Sequence, residues 1–235
     1  MDTISIEHGD RLFWLGRYAE RAFTTLCTLE TLYDRGIDSN PDSYTGYLSR
    51  LGFENTYKDG VDFFESFIFN KDNPGSVAAC LTRAYDNGIV LREEISTEAL
   101  SFLQMAMDKL DEARDNGMSL RLAMLPIQDI LYGFWGCIND YVFNHEIINI
   151  IYCGKYVERL DLYLRLDYPF HKIEREFKRL CEHLQRVPKN TPYRYNTKQL
   201  CTLVEILNTD SYNGHSESAV FALERLFERS EPIAS

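Results

Sequence analysis

One short motif occurs twice in this chain. Gly16-Arg17-Tyr18-Ala19-Glu20-Arg21-Ala22 near the start reappears as Gly154-Lys155-Tyr156-Val157-Glu158-Arg159-Leu160, and five of the seven positions agree when lysine is counted with arginine. Each copy places a basic residue, a carboxylate and an arginine at i, i+3 and i+4, so all three project from neighbouring positions of one helix. The apolar phase is shared as well. Leu12, Leu15, Ala19, Ala22 and Leu26 step by threes and fours in the first copy, and Ile150, Cys153, Val157, Leu160 and Leu164 take the same places in the second. This predicts two long related helices and suggests an internal duplication, with a pseudo-two-fold bundle built around the pair.

The rest of the chain reads as helix too. Ser5 is placed to cap the first motif helix and Gly36 to end it. Shorter helices are expected over about 41–51 and 59–69. Asn73-Pro74 reads as a cap and first helical residue opening a helix to Glu93, and Ser96 caps another that runs to Arg114. Ser119 starts a helix with a kink expected at Pro126; the second motif helix spans 144–167, and Pro169 opens the next. Pro188-Lys189-Asn190-Thr191-Pro192 reads as a loop, followed by two C-terminal helices within 190–235. No segment alternates with the period of a strand. The expected fold is all-α: a multi-helix bundle forming one domain over 1–235, with motif copies near 10–34 and 148–168.

The charged motif residues lie opposite the apolar stripe, which by itself would describe a solvated face. Yet Phe13 in the first copy, and Ile151, Leu162 and Leu166 in the second, share that face and should not line open water. Both faces of the motif helices are therefore expected to be covered, with the charged groups at least partly buried. A buried carboxylate needs a cation. Within each helix Glu20 can reach Arg17 and Glu158 can reach Lys155. Across a pseudo-two-fold pair, Arg21 would stand beside Glu158 and Arg159 beside Glu20. Three readings of the cluster follow: an ion-pair network that fixes helix register, a site that grips a carboxylate, phosphate or peptide group with guanidinium forks, or acid–base chemistry by Glu20 or Glu158. An adjacent arginine weakens the last, because it makes a carboxylate a poorer base.

The 235 residues carry a net charge of −11, which disfavours nucleic acid and anionic membrane surfaces as partners. No stretch approaches the roughly 18 apolar residues of a membrane span, and the N-terminus lacks the pattern of a signal peptide. Six scattered cysteines with no CxxC spacing suit a reducing compartment; a cytoplasmic location is expected. His145-Glu146 is too sparse for a metal site, and neither metal nor cofactor is expected. Trp14, Trp135 and the other aromatics read as core, and the alternating charges from Lys172 to Arg186 read as a solvated helix face.

Leu12-Phe13-Trp14-Leu15 leading into the first motif resembles the opening signature of the bacterial alpha-E domain family, named for helices with an E-R motif. Asn73-Pro74-Gly75-Ser76-Val77, Cys80-Leu81, Ala84, Asn87, Val90, Arg92, Glu93, Ile95, Ser96 and Glu98 follow its central block in order, and Gly154 to Asp161 is similar to its second E-R block. The resemblance spans about residues 5 to 168. Three places depart from it: the family usually has arginine where Lys155 and Tyr85 stand, and Arg-Asp-Glu where this chain has Asn144-His145-Glu146.

The resemblance implies an all-helical domain found beside, or fused to, circularly permuted ATP-grasp proteins, often with transglutaminase-like proteins. ATP-grasp enzymes commonly activate a carboxylate and pass it to an amine. The implied role is an accessory or substrate-binding component of a peptide- or amide-forming system, with an ATP-grasp-type ligase as partner and a carboxylate- or peptide-like ligand. Arg17, Arg21, Lys155 and Arg159 would hold the ligand, with Glu98 and Glu146 as further members of the site. Glu20 and Glu158 would orient the cations or accept an amine. The alternatives are an enzyme in its own right, for acyl transfer or amide hydrolysis with one of those glutamates as general base, or a helical scaffold.

Overall fold

The computed structural model describes residues 4–38, 43–187, 194–207 and 216–227, and these are helical nearly throughout. The chain order is α1 (Ile6–Asp38), α2 (Ser43–Leu51), α3 (Gly60–Phe69), α4 (Val77–Val90), α5 (Arg92–Ile95), α6 (Thr97–Asp115), α7 (Leu120–Tyr141), α8 (His145–Arg165), α9 (Phe170–Arg186), α10 (Thr197–Leu207) and α11 (Ser216–Glu224). No strand occurs among the described residues. The expected loop at 188–192 lies outside them.

Local chemistry sets most of the boundaries. Ser5 Oγ accepts from the His8 amide at the start of α1, and Ser96 Oγ accepts from Ala99 at the start of α6. Asn144 Oδ1 accepts from the amides of Glu146 and Ile147 to open α8. Two expectations are corrected. Gly36 does not end α1, which continues to Asp38. Asn73 does not cap α4; it closes a turn by accepting from the Gly75 amide, and Ser76 caps the helix by accepting from Ala79. That helix also stops at Val90, with the single-turn α5 between it and α6.

The centre of the fold is the crossing of α1 and α8. Gly16 and Gly154 meet there. A Cβ on Gly16 would lie 2.1 Å from the Ile151 carbonyl oxygen, and one on Gly154 would lie 2.1 Å from the Phe13 carbonyl oxygen. Only a residue without a side chain permits either approach. The contacts are reciprocal between the two motifs, while the helices packed behind differ: α1 rests on α4 and α7, and α8 on α9 and α11.

Both motif helices are buried on nearly all sides. Leu12, Leu15, Ala19, Ala22 and Leu26 are inaccessible or nearly so, as are Ile150, Cys153, Val157, Leu160 and Leu164. On the opposite faces Phe13, Ile151 and Leu162 are buried too, together with Glu20 and Glu158. A second aromatic core, built on Tyr44, Tyr47, Phe63 and Phe67, joins α2 and α3. No helix among the described residues is long and apolar enough to cross a membrane, and none of the six cysteines is disulfide-bonded.

Candidate functional site

Because the two glycines bring the backbones together, the carboxylate of each motif lies against the arginines of the other. Arg17 Nε donates to Glu158 Oε2 at 2.7 Å, and Arg21 donates to both Glu158 oxygens, through Nε to Oε1 and through Nη2 to Oε2 at 3.0 Å. Arg159 Nε donates to Glu20 Oε1 at 2.6 Å, and the Thr24 hydroxyl donates to the same oxygen at 2.7 Å. The pairs Arg21–Glu158 and Arg159–Glu20 are those expected across a two-fold crossing. The pairs within each helix do not form: Arg17 turns to Glu158 instead of Glu20, and Lys155 Nζ lies 3.7 Å from the centroid of the Trp135 ring.

Burial and charge separate the members. Both carboxylates are wholly inaccessible, whereas the side chains of Arg17 and Arg21 retain 18% and 27% of their exposure. Burial alone would raise the Glu158 pKa, but the two guanidinium groups outweigh it and hold the carboxyl below its ordinary value. Burial also lowers Lys155 to about 8, against the opposing pull of Glu20. Glu20 Oε2 and Trp135 Nε1 are buried without hydrogen-bond partners.

The Glu158 side opens into a cleft of about 320 Å³, walled by Tyr47, Leu51, Phe53, Phe67 and Leu162. Each guanidinium carries five N–H donors. Arg17 uses only Nε on Glu158 and Arg21 uses Nε and Nη2, so both Nη groups of Arg17 and Nη1 of Arg21 have no protein acceptor among the described residues. Further along the same cleft Arg165 Nε bridges both Asp161 oxygens at 3.1 and 3.0 Å, and its Nη2 donates to Glu224 at 2.5 Å. A larger hollow of about 1020 Å³ opens beside α3 and the α6–α7 turn, with Tyr57, Asp62 and Arg114 in its wall; it includes no member of the cluster.

Two sequence candidates make no side-chain hydrogen bond or ion pair with the cluster among the described residues. Glu146 stands in the first turn of α8, twelve residues before Glu158 and so about 18 Å away along the axis; there a carboxylate complements the helix dipole. Glu98 is exposed in the first turn of α6, near Cys137. Sequence reasoning missed Glu176, which is fully buried and takes Arg159, Arg175 and Arg179. The reading of 172–186 as a solvated face is corrected accordingly, since Ile173, Glu176, Phe177, Leu180 and Leu184 all point inward. The sign was present: Glu176 sits on the stripe of those apolar residues. Trp14 is likewise not core; it remains 38% exposed with the Arg17 guanidinium 4.9 Å from its ring centroid. Among the described residues no group of three or more His, Cys, Asp or Glu side chains is arranged to hold a metal ion.

Fold and cluster together define an all-helical domain organised around two crossed Glu-Arg helices. The chain belongs to the Alpha-E family, described as a predicted alpha-helical domain with a conserved ER motif, whose family model matches residues 8–179. Neither the curated proteins nor the solved structures yield a match.

Proposed function

We propose that this chain is the accessory, substrate-binding component of an ATP-grasp-linked system that forms peptide or amide bonds, and that Arg17 and Arg21 hold the carboxylate or phosphate of its ligand. The observation that carries this reading is that two arginines lining the cleft keep guanidinium N–H groups with no acceptor among the described residues. Glu158, locked between the arginines, fixes their planes and keeps their free edges turned to a ligand; a bidentate fork of that kind matches a carboxylate or phosphate. Lys155 and Arg159 serve the Glu20 side. The system would act in the cytoplasm, as one 1–235 unit beside a ligase that draws on ATP.

General-base catalysis is the second reading, and one observation favours it for Glu20: its Oε2 carries no hydrogen bond. Glu158 suits the role poorly, since arginines occupy both oxygens and depress its pKa. A purely structural network is the third reading.

The test is ATP turnover by a cognate ATP-grasp protein supplied with carboxylates and amines, with and without this chain. Turnover or amide product should depend on the chain and fall in Arg17→Gln. A ligase that runs unaided, with rate and product unchanged by this chain, would overturn it.

A further inference from the structure

The cleft beside Glu158 is electrically two-ended. At one end two guanidinium groups, Arg17 and Arg21, surround one carboxylate, Glu158, for a net charge of plus one. At the other, two carboxylates, Asp161 and Glu224, share one guanidinium, Arg165, for a net charge of minus one. Both groups line the same hollow, and the rest of its lining is mostly apolar and aromatic. Glu158, Asp161 and Arg165 follow one another at i, i+3 and i+7 along α8, so they lie on one face of the helix. The rise from Glu158 to Asp161 is about 4.5 Å.

We infer that the ligand of this cleft is a zwitterion of the amino-acid type, a free amino acid or short peptide with an apolar side chain, whose carboxylate takes Arg17 and Arg21 and whose ammonium takes Asp161 and Glu224. The inference rests on the anion-binding reading and deepens it. A phosphate or a simple carboxylate would satisfy the first end and leave the second unmatched. Asp161 is suited to the ammonium. Its two oxygens share a single Arg165 N–H, and a carboxylate has lone pairs for further donors. It is 8% exposed, and burial, reinforced by Glu158, disfavours its charge; an incoming cation relieves that. The apolar wall of Tyr47, Leu51, Phe53, Phe67 and Leu162 then receives the side chain.

Calorimetric titration of the intact protein with phenylalanine, N-acetylphenylalanine and phenylalaninamide tests this. Phenylalanine should bind about tenfold more tightly than either blocked analogue, the effect of one charge-assisted contact. Asp161→Asn should abolish the advantage of phenylalanine over N-acetylphenylalanine and leave binding of the acetylated compound unchanged. If that variant does not fold, Glu224→Gln, at a half-exposed position, should reduce the same advantage. Equal binding of phenylalanine and N-acetylphenylalanine by the wild-type protein would overturn the inference while leaving the anion-binding reading intact. Failure of both carboxylates to bind would overturn the inference too, and the anion-binding reading would fall with it only if inorganic phosphate also fails to bind.

Discussion

Arg17 and Lys155 occupy matching places in the two motifs but do different things. Arg17 Nε reaches Glu158 Oε2, whereas Lys155 turns to the face of Trp135 and the matching oxygen, Glu20 Oε2, is left without a partner. A buried acceptor without a hydrogen bond costs about 1–3 kcal/mol. Lys155→Arg supplies a guanidinium where the other motif already has one. It is expected to stabilise the protein by about 1 kcal/mol, a rise in Tm of roughly 2–4 °C for a chain of this size, measured by thermal unfolding. An unchanged or lower Tm would mean that Glu20 cannot be reached from position 155.

The glycines at the crossing allow no substitute. Gly16→Ala or Gly154→Ala drives a methyl group into a carbonyl oxygen of the facing helix, at a separation that no side-chain adjustment can relieve. Each is expected to lower stability by more than about 3 kcal/mol, at the severe end of single substitutions. Gly136→Ala is the control, because nothing lies within 4 Å of its Cβ position. Denaturant unfolding of the three variants compares them.

Glu158→Gln removes the charge that Arg17 and Arg21 share and leaves two part-buried guanidinium groups facing one another. Breaking a buried pair from one side costs about 3–5 kcal/mol, so a loss of that order is expected in denaturant midpoints. Arg21→Met combined with Glu158→Met should recover much of it, since both charges of the pair then disappear. A double variant no better than the single one would show that the bidentate geometry itself holds the crossing together.

Lys155 gives stability a pH dependence with a definite sign. Its folded-state pKa of about 8 lies below the ordinary 10.5, so between those values the unfolded chain binds more protons than the native one. This contribution therefore makes stability rise with pH across that window and is fully unfavourable below it. Lys155→Met lacks it. The variant should be the more stable near neutral pH, and its advantage should shrink as the pH climbs from 8 to 10.5, followed by urea denaturation of both proteins. A difference that stays flat with pH would show that the lysine is not depressed.

The helices and the crossed pairs were legible because one periodicity fixed both: matching apolar phases forced the motif helices together, and two buried carboxylates then required cations from across the crossing. Glu20 and Glu158 are indeed inaccessible. Glu176 was hidden because its neighbours Glu174, Arg175, Lys178 and Arg179 gave the segment the composition of a solvated face, although its position on the stripe of Ile173 and Leu180 marked it as inward. The turn of Lys155 toward Trp135 could not be read, since cation–π contacts join residues remote in sequence. Gly36 misled for a local reason. Glycine favours a helix end, but α1 continues one half-turn beyond it. Glu146 and Glu98 matched family blocks rather than a shared face, and neither side chain pairs with the cluster among the described residues.

On this reading Arg17 and Arg21 bind an anion as well as bracing a buried glutamate. Calorimetric titration of acetate and inorganic phosphate near neutral pH tests it most directly, comparing the wild-type protein with Arg17→Gln. Arg21 still holds both oxygens of Glu158 in that variant, so it should stay folded, with its Tm measured alongside. Saturable one-to-one binding of at least one anion to the wild-type protein is expected, lost or weakened about tenfold or more in the variant. Equal binding by the two proteins, or no saturable binding by the wild type, would contradict it and leave the arginines with a structural role alone.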